Sequence, residues 1–78
     1  MSKNVVVYSA DGCVECEQVK DLLKNEGIAF EVKDVMESEE AQKEVENFGF
    51  MGIPVTVIGD QAIKGLTPEL RALIEEVK

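Results

Sequence analysis

At 78 residues the chain is expected to form one domain, spanning 1–78, and a domain of this size buries only about 60 % of the surface its unfolded chain exposes. A composition of 45 % hydrophobic and 31 % charged residues with two prolines excludes disordered, collagen-like and low-complexity classes. Sixteen acidic against eight basic residues leave a net charge of −8, which keeps a small protein soluble and argues against nucleic acid as a partner, because such a field repels phosphate backbones.

The opening stretch, Met1 to Cys13, has too short an apolar run for a signal peptide and no small-residue cleavage site. No run in the chain approaches the roughly 20 apolar residues of a membrane span. The expected location is therefore cytoplasmic, with no membrane association. In that compartment cysteines are reduced or catalytic rather than structural staples.

Val5-Val6-Val7-Tyr8 is a β-branched run ending in the turn-like Ser9-Ala10-Asp11-Gly12, the pattern of a strand buried on both faces. From Cys13 the period changes. Cys16, Val19 and Leu23 fall at i, i+3 and i+7, and Gly27 follows as a C-cap, so a helix opens at the first cysteine. Ile28, Phe30 and Val32 alternate with polar or small residues as a half-buried strand does. Ser38 is an N-cap, with Glu39 and Glu40 in the first turn and Ala41, Val45 and Phe48 along a second helix. Pro54 to Ile58 reads as a third strand. Gly59-Asp60 is a two-residue hairpin turn into a fourth strand, Gln61 to Lys64. Thr67 caps a third helix that begins with Pro68 and carries Leu70, Leu73, Ile74 and Val77. The order is βαβαββα, an α/β fold: a four-stranded mixed sheet with three helices, covered on both faces.

The chemistry concentrates in Asp11-Gly12-Cys13-Val14-Glu15-Cys16-Glu17, which holds both cysteines of the chain. Residues i and i+3 of a helix have Cβ atoms about 5–6 Å apart, and a disulfide needs about 3.5–4.5 Å, so this pair can close a small ring and reopen without unfolding anything. So small a loop adds little stability through chain entropy; the spacing suits a reversible bond. Two cysteines fall three apart by chance in roughly one such chain in 40, but their place between a buried strand and the helix it feeds sharpens the signal. Cys13, at the helix start, faces unpaired N–H groups and is the expected nucleophile; Cys16, one turn in, is the expected resolving thiol. Asp11, Glu15 and Glu17 oppose the helix dipole, so a reductant is expected rather than a strong oxidant. A closed zinc site wants four ligands, and this chain has no histidine and no third cysteine. No metal ligand set is therefore assigned. The alternative is a dimer that pools two motifs around a metal ion or an iron–sulfur cluster.

The strand–Cys13-Val14-Glu15-Cys16–helix unit, the segment Gly52-Ile53-Pro54-Val55-Thr56-Val57-Ile58 and Gly65 before the last helix together resemble the thioredoxin superfamily, and within it the small glutaredoxin-like proteins. The resemblance covers nearly the whole chain. It implies a thioredoxin-like fold and a thiol–disulfide oxidoreductase that reduces protein disulfides, a monomer with no bound cofactor because the electrons are held as a dithiol. It further implies that Ile53-Pro54 is a cis peptide beside the cysteines, with the Ile53 backbone pairing to the substrate strand. The alternative there is an ordinary trans proline opening a strand.

Glutathione-using glutaredoxins usually carry a basic residue before the first cysteine, an aromatic between the cysteines, and Gly-Gly followed by acidic residues near the last helix. Here the matching stretches are Ser9-Ala10-Asp11-Gly12, Val14-Glu15 and Gly65-Leu66-Thr67-Pro68, which agree only at Gly65. The redoxins that donate electrons to ribonucleotide reductase are more similar, with Cys-Val-x-Cys and Gly-aromatic-x-Pro-acid. Gly65-Leu66-Thr67-Pro68-Glu69 matches that segment except that Leu66 stands for the aromatic. Gly65 and Leu66 are accordingly assigned to substrate binding. The expected partners are a disulfide-containing protein and a flavoprotein of the thioredoxin-reductase type rather than glutathione, because the acidic residues offer anionic glutathione no cation, with Lys64 the one nearby candidate. Phe48, Phe50 and Met51 are read as core or helix-end packing, an apolar docking rim being the alternative.

Overall fold

The computed structural model describes residues 4–77; residues 1–3, which open the stretch read against a leader, and residue 78 lie outside the described residues. Three β-branched residues in a row build strand β1 (Val5–Ser9), and the sheet order β2-β1-β3-β4 places it inside the sheet. Helix α1 (Val14–Asn25) leads back to the edge strand β2 (Glu31–Asp34), parallel to β1 with Val7 opposite Val32. Helix α2 (Glu39–Asn47) then crosses to β3 (Val55–Ile58), antiparallel to β1 with Tyr8 opposite Val55. The turn at Gly59-Asp60, with Gly59 at φ 64°, feeds β4 (Gln61–Lys64), and α3 (Pro68–Val77) closes the chain.

The helix starts follow their capping chemistry. Ser38 Oγ accepts from the Ala41 N–H at 3.2 Å, and Thr67 Oγ1 accepts from the Leu70 N–H at 3.2 Å. Alternation along the strands sorts the core into two layers. Val5, Val7 and Ile58 pack with Val19 and Leu23 of α1 and Leu70, Leu73 and Ile74 of α3 on one face. Tyr8 and Val55 pack with Ala41 and Val45 of α2 on the other. Each fully buried Leu or Ile contributes about 1.5–3 kcal/mol relative to exposure, so these two layers carry the fold.

One expectation needs correction. The alternation at Ile28, Phe30 and Val32 does not lie within one strand: β2 begins at Glu31, and Val32 is 44 % exposed. As an edge strand β2 is covered incompletely, while Ile28 and Phe30 reach the α1–α3 layer from the loop before it. Phe48 takes the helix-end role: it is the C-cap of α2, 43 % exposed with its ring edge-on to Tyr8 at 6.2 Å. Tyr8 in turn donates to Glu44 Oε1 at 2.7 Å, and Lys33 Nζ donates to the same oxygen at 3.2 Å. The phenol is pushed up to about 12 by burial first, then by that hydrogen bond and the carboxylate's charge, and the Tyr8 and Lys33 hydrogen bonds draw the Glu44 carboxyl below its ordinary value.

Candidate active site

Register decides which segments meet. β1 ends beside the start of β3, and Val55 pairs with Lys64 at the end of β4. One edge of the sheet therefore gathers the loop after β1, the residues before β3 and the loop after β4. These segments carry Cys13, Pro54 and Gly65.

After Ser9 the chain turns at Gly12, φ 80°, and arrives at Cys13 in extended geometry, φ −89° and ψ 105°. Cys13 is the N-cap of α1. Its sulfur accepts from the Cys16 N–H at 3.2 Å, the place where a Ser or Asp oxygen ordinarily sits. Both cysteines are free thiols, but their surroundings differ. Cys13 is half-buried, whereas Cys16 has no exposed surface. Burial is the main cause that pushes the Cys16 thiol up from 9.0 to about 12. Hydrogen bonding to Cys13 and the charge there add to it, while the Ala10 backbone and the Lys20 ammonium act in the opposite sense. Val14, between the cysteines, is 72 % exposed.

The Ile53-Pro54 peptide is cis. The Pro54 carbonyl accepts from the Gly65 N–H at 2.7 Å, which ties the segment before β3 to the loop after β4. A second tie was not legible in the sequence. Glu15 Oε2 accepts from the Leu66 N–H at 2.7 Å, across 51 positions of chain. Gly65 is required at this point on two counts. Its φ is +81°, and a Cβ there would lie 2.9 Å from the Glu15 oxygen. Of the other charges, Lys20 holds Glu17 at 3.0 Å, and Lys64 runs past Gly52, where an added Cβ would meet its Cε at 3.4 Å and its Nζ at 3.5 Å.

Beside Ile53 lies an open, mainly apolar cavity of about 400 Å³, bordered by Ala10, Val35, Met36, Val45 and Phe50 among others. Met51 is 95 % exposed at its rim, so the expectation of internal packing fails for this residue; Phe50 is half-buried against the α2 layer. The cavity draws on several separate segments, and no single stretch of sequence signals it. Among the described residues no three Cys, Asp or Glu side chains converge to hold a metal ion. Nor is any helix among them long and apolar enough to cross a membrane.

Residues 5–63 match the glutaredoxin family model. The chain belongs to the glutaredoxin family. Among its relatives, the glutaredoxin-like protein NrdH of Escherichia coli K12 is 30 % identical over 66 residues, 85 % of this chain and 82 % of that protein. The NrdH protein of Lactococcus lactis strain IL1403 is 36 % identical over 64 residues, 82 % of this chain and 89 % of that one. The solved structure of the Escherichia coli NrdH-redoxin, a glutaredoxin-like protein with a thioredoxin-like activity profile, superposes with a TM-score of 0.83 at 28 % identity, covering 96 % of this chain and 95 % of that one. As a glutaredoxin-like protein with a Cys-x-x-Cys pair and a thioredoxin-like fold, this chain is a thiol–disulfide oxidoreductase. Of the six residues assigned from the sequence, Cys13, Ile53, Pro54, Gly65 and Leu66 fall in the segments that meet at this edge of the sheet, and Cys16 lies in the first turn of α1 behind them.

Proposed function

We propose that this glutaredoxin is a dithiol electron carrier that reduces disulfides in a partner protein and is itself recharged by a flavoprotein of the thioredoxin-reductase type. The observation that carries the proposal is the asymmetry of the two thiols, one half-exposed at a helix N-terminus and the other sealed beneath it. The Cys13 thiolate attacks one sulfur of the partner's disulfide. That S–S bond breaks, a mixed disulfide forms, and the second partner sulfur leaves as a thiolate. Cys16 then attacks the Cys13 sulfur. The mixed bond breaks, the Cys13–Cys16 disulfide forms, and two electrons have passed to the partner. Cys16, held protonated by burial, releases its proton only at this step, and the partner thiolate liberated in the first step is a base at hand to take it.

The Ile53 backbone lies before β3, beyond the last ladder pair at Val55, and in this proposal it aligns the partner strand, with Gly65 and Leu66 flanking it. The cavity beside Ile53 gives room for an apolar side chain next to the partner's cysteine, which favours a protein substrate over a small thiol. The likeness to a redoxin with a thioredoxin-like activity profile supports the flavoprotein as electron source. We place the protein, as a single-domain monomer, in the cytoplasm, a reducing compartment in which a dithiol carrier can be kept reduced. Following NADPH oxidation with thioredoxin reductase, or with glutathione and its reductase, tests the proposal. Turnover with the flavoprotein alone is expected; turnover with glutathione alone would refute it.

A further inference from the structure

We infer that Glu15 is a specificity-determining residue: it fixes a negative charge at the mouth of the dithiol site that selects against anionic small thiols. The inference rests on the redox role proposed for Cys13 and Cys16 and extends it to the charge of the attacking thiol.

The observations are geometric. Glu15 lies two positions after Cys13 and immediately before Cys16, on the exposed first turn of α1. Its carboxylate is not left to wander in solvent. The Leu66 N–H holds it at 2.7 Å, and the absent Cβ of Gly65 makes room for the same oxygen. The charge is therefore fixed in the gap between the cysteine turn and the loop after β4. It also fills an amide donor that faces this gap, one that an incoming carboxylate would otherwise bond. Neither nearby cation pairs with it: Lys20 is committed to Glu17, and the Lys64 ammonium lies over Gly52. Asp11 adds a further negative charge on the turn before Cys13.

A unit charge acting over roughly 8 Å of water-like dielectric changes the local concentration of a monovalent anion by about 2-fold, and of a cation by the same factor in the opposite sense. The ratio of cationic to anionic thiol reactivity should therefore carry about a 5-fold contribution from Glu15 at low ionic strength, shrinking as salt shortens the Debye length.

In the reaction to be measured, a thiolate attacks the Cys13 sulfur of the oxidised protein, the Cys13–Cys16 bond breaks, and Cys16 leaves and is protonated. A second thiolate then releases Cys13 and carries off the oxidised small disulfide. Cysteamine, 2-mercaptoethanol and 3-mercaptopropionate carry a cationic, a neutral and an anionic group beside the sulfur, so their attacking thiolates are a zwitterion, a monoanion and a dianion. Their rates, normalised to thiolate concentration, should rank in that order for the unaltered protein. Glu15→Gln keeps an acceptor for the Leu66 N–H and removes the charge, so the cation-to-anion ratio should fall about 5-fold, with the zwitterionic cysteamine thiolate changing little and the 2-mercaptoethanol thiolate, itself a monoanion, speeding up by about 2-fold. Glu15→Ala, which also empties the amide, should speed the anionic probe at least as much. An unchanged ratio in both variants overturns the inference, as does an equal change for all three probes, which marks a purely structural role. Failure of all three probes to open the disulfide in the unaltered protein would instead overturn the redox role beneath it.

Discussion

Iodoacetamide added to the reduced protein at pH 8 should modify Cys13 and spare Cys16, and the difference can be worked out. With its thiol pushed up to about 12, Cys16 is a thiolate to the extent of about 10⁻⁴ at pH 8, whereas an ordinary cysteine is about one-quarter ionised. That is a deficit of about 2,000-fold. Part of it returns, because a more basic thiolate is a better nucleophile: at a Brønsted slope near 0.45 the 3.5-unit difference restores about 40-fold. Ionisation alone thus leaves Cys16 about 60-fold slower than a model thiol, and its complete burial adds the cost of an opening event. The clean assay is the Cys13→Ser variant, whose hydroxyl still accepts the Cys16 N–H as an N-cap, so the helix start is retained. Mass spectrometry should find this variant unmodified over the time in which the unaltered protein gains one adduct, and denatured protein should gain two. Modification of Cys16 in the variant within tenfold of the model-thiol rate would show that burial does not hold that proton, and the assignment of Cys16 as a sealed resolving thiol would fail.

Thr56 is buried with no partner for its hydroxyl, so Thr56→Val should stabilise the protein by about 1 kcal/mol, read as a rise of about 4–8 °C in Tm; a fall in Tm refutes it. Gly65→Ala should lower stability by about 1 kcal/mol or more, since it places a Cβ at positive φ against the Glu15 carboxylate, and urea unfolding should show it. Cys16 and Tyr8 are both raised in the folded state, to about 12 from 9.0 and 10.0. Their contributions are complete below pH 9 and 10 respectively, and are lost as pH rises toward 12. The oxidised protein lacks the Cys16 contribution, so urea midpoints at pH 8 and 11 should fall more steeply for the reduced form. Glu44 has the opposite sense, its carboxyl being drawn down by Tyr8 first and by Lys33. Its stabilisation is present above its ordinary 4.5 and is lost as pH falls through the lowered value. Tyr8→Phe should diminish that acid loss in a pH series of thermal melts.

Much of this protein was written locally. The β-branched run at Val5–Tyr8, the 3.6-residue spacing of Cys16, Val19 and Leu23, the caps at Ser38 and Thr67 and the turn at Gly59 each act over a few residues, and each appears where its local chemistry puts it. The cysteine pair was legible for the same reason: its meaning depends on spacing along one helix. Where a property depends on what covers a residue, the sequence fell short. Val32 alternates correctly yet stands exposed, because its strand ends up at the sheet edge; Met51 has the chemistry of a core residue but sits at a cavity rim. The tie from Glu15 to Leu66 spans 51 residues, and the cavity beside Ile53 draws on separate segments. The tie depends on the antiparallel pairing of β3 with β1 and β4, which brings the loop after β4 to the start of α1, and the cavity on the pairing of β1 with β2 and β3, which sets Ala10, Val35 and Ile53 near one another beside α2. The sequence by itself determined the spacing of the two thiols and the helix whose start they occupy. Only the tertiary structure decided how deeply Cys16 is sealed and which charge faces an incoming partner, because burial and electrostatic distance belong to the packed chain and not to the order of its residues.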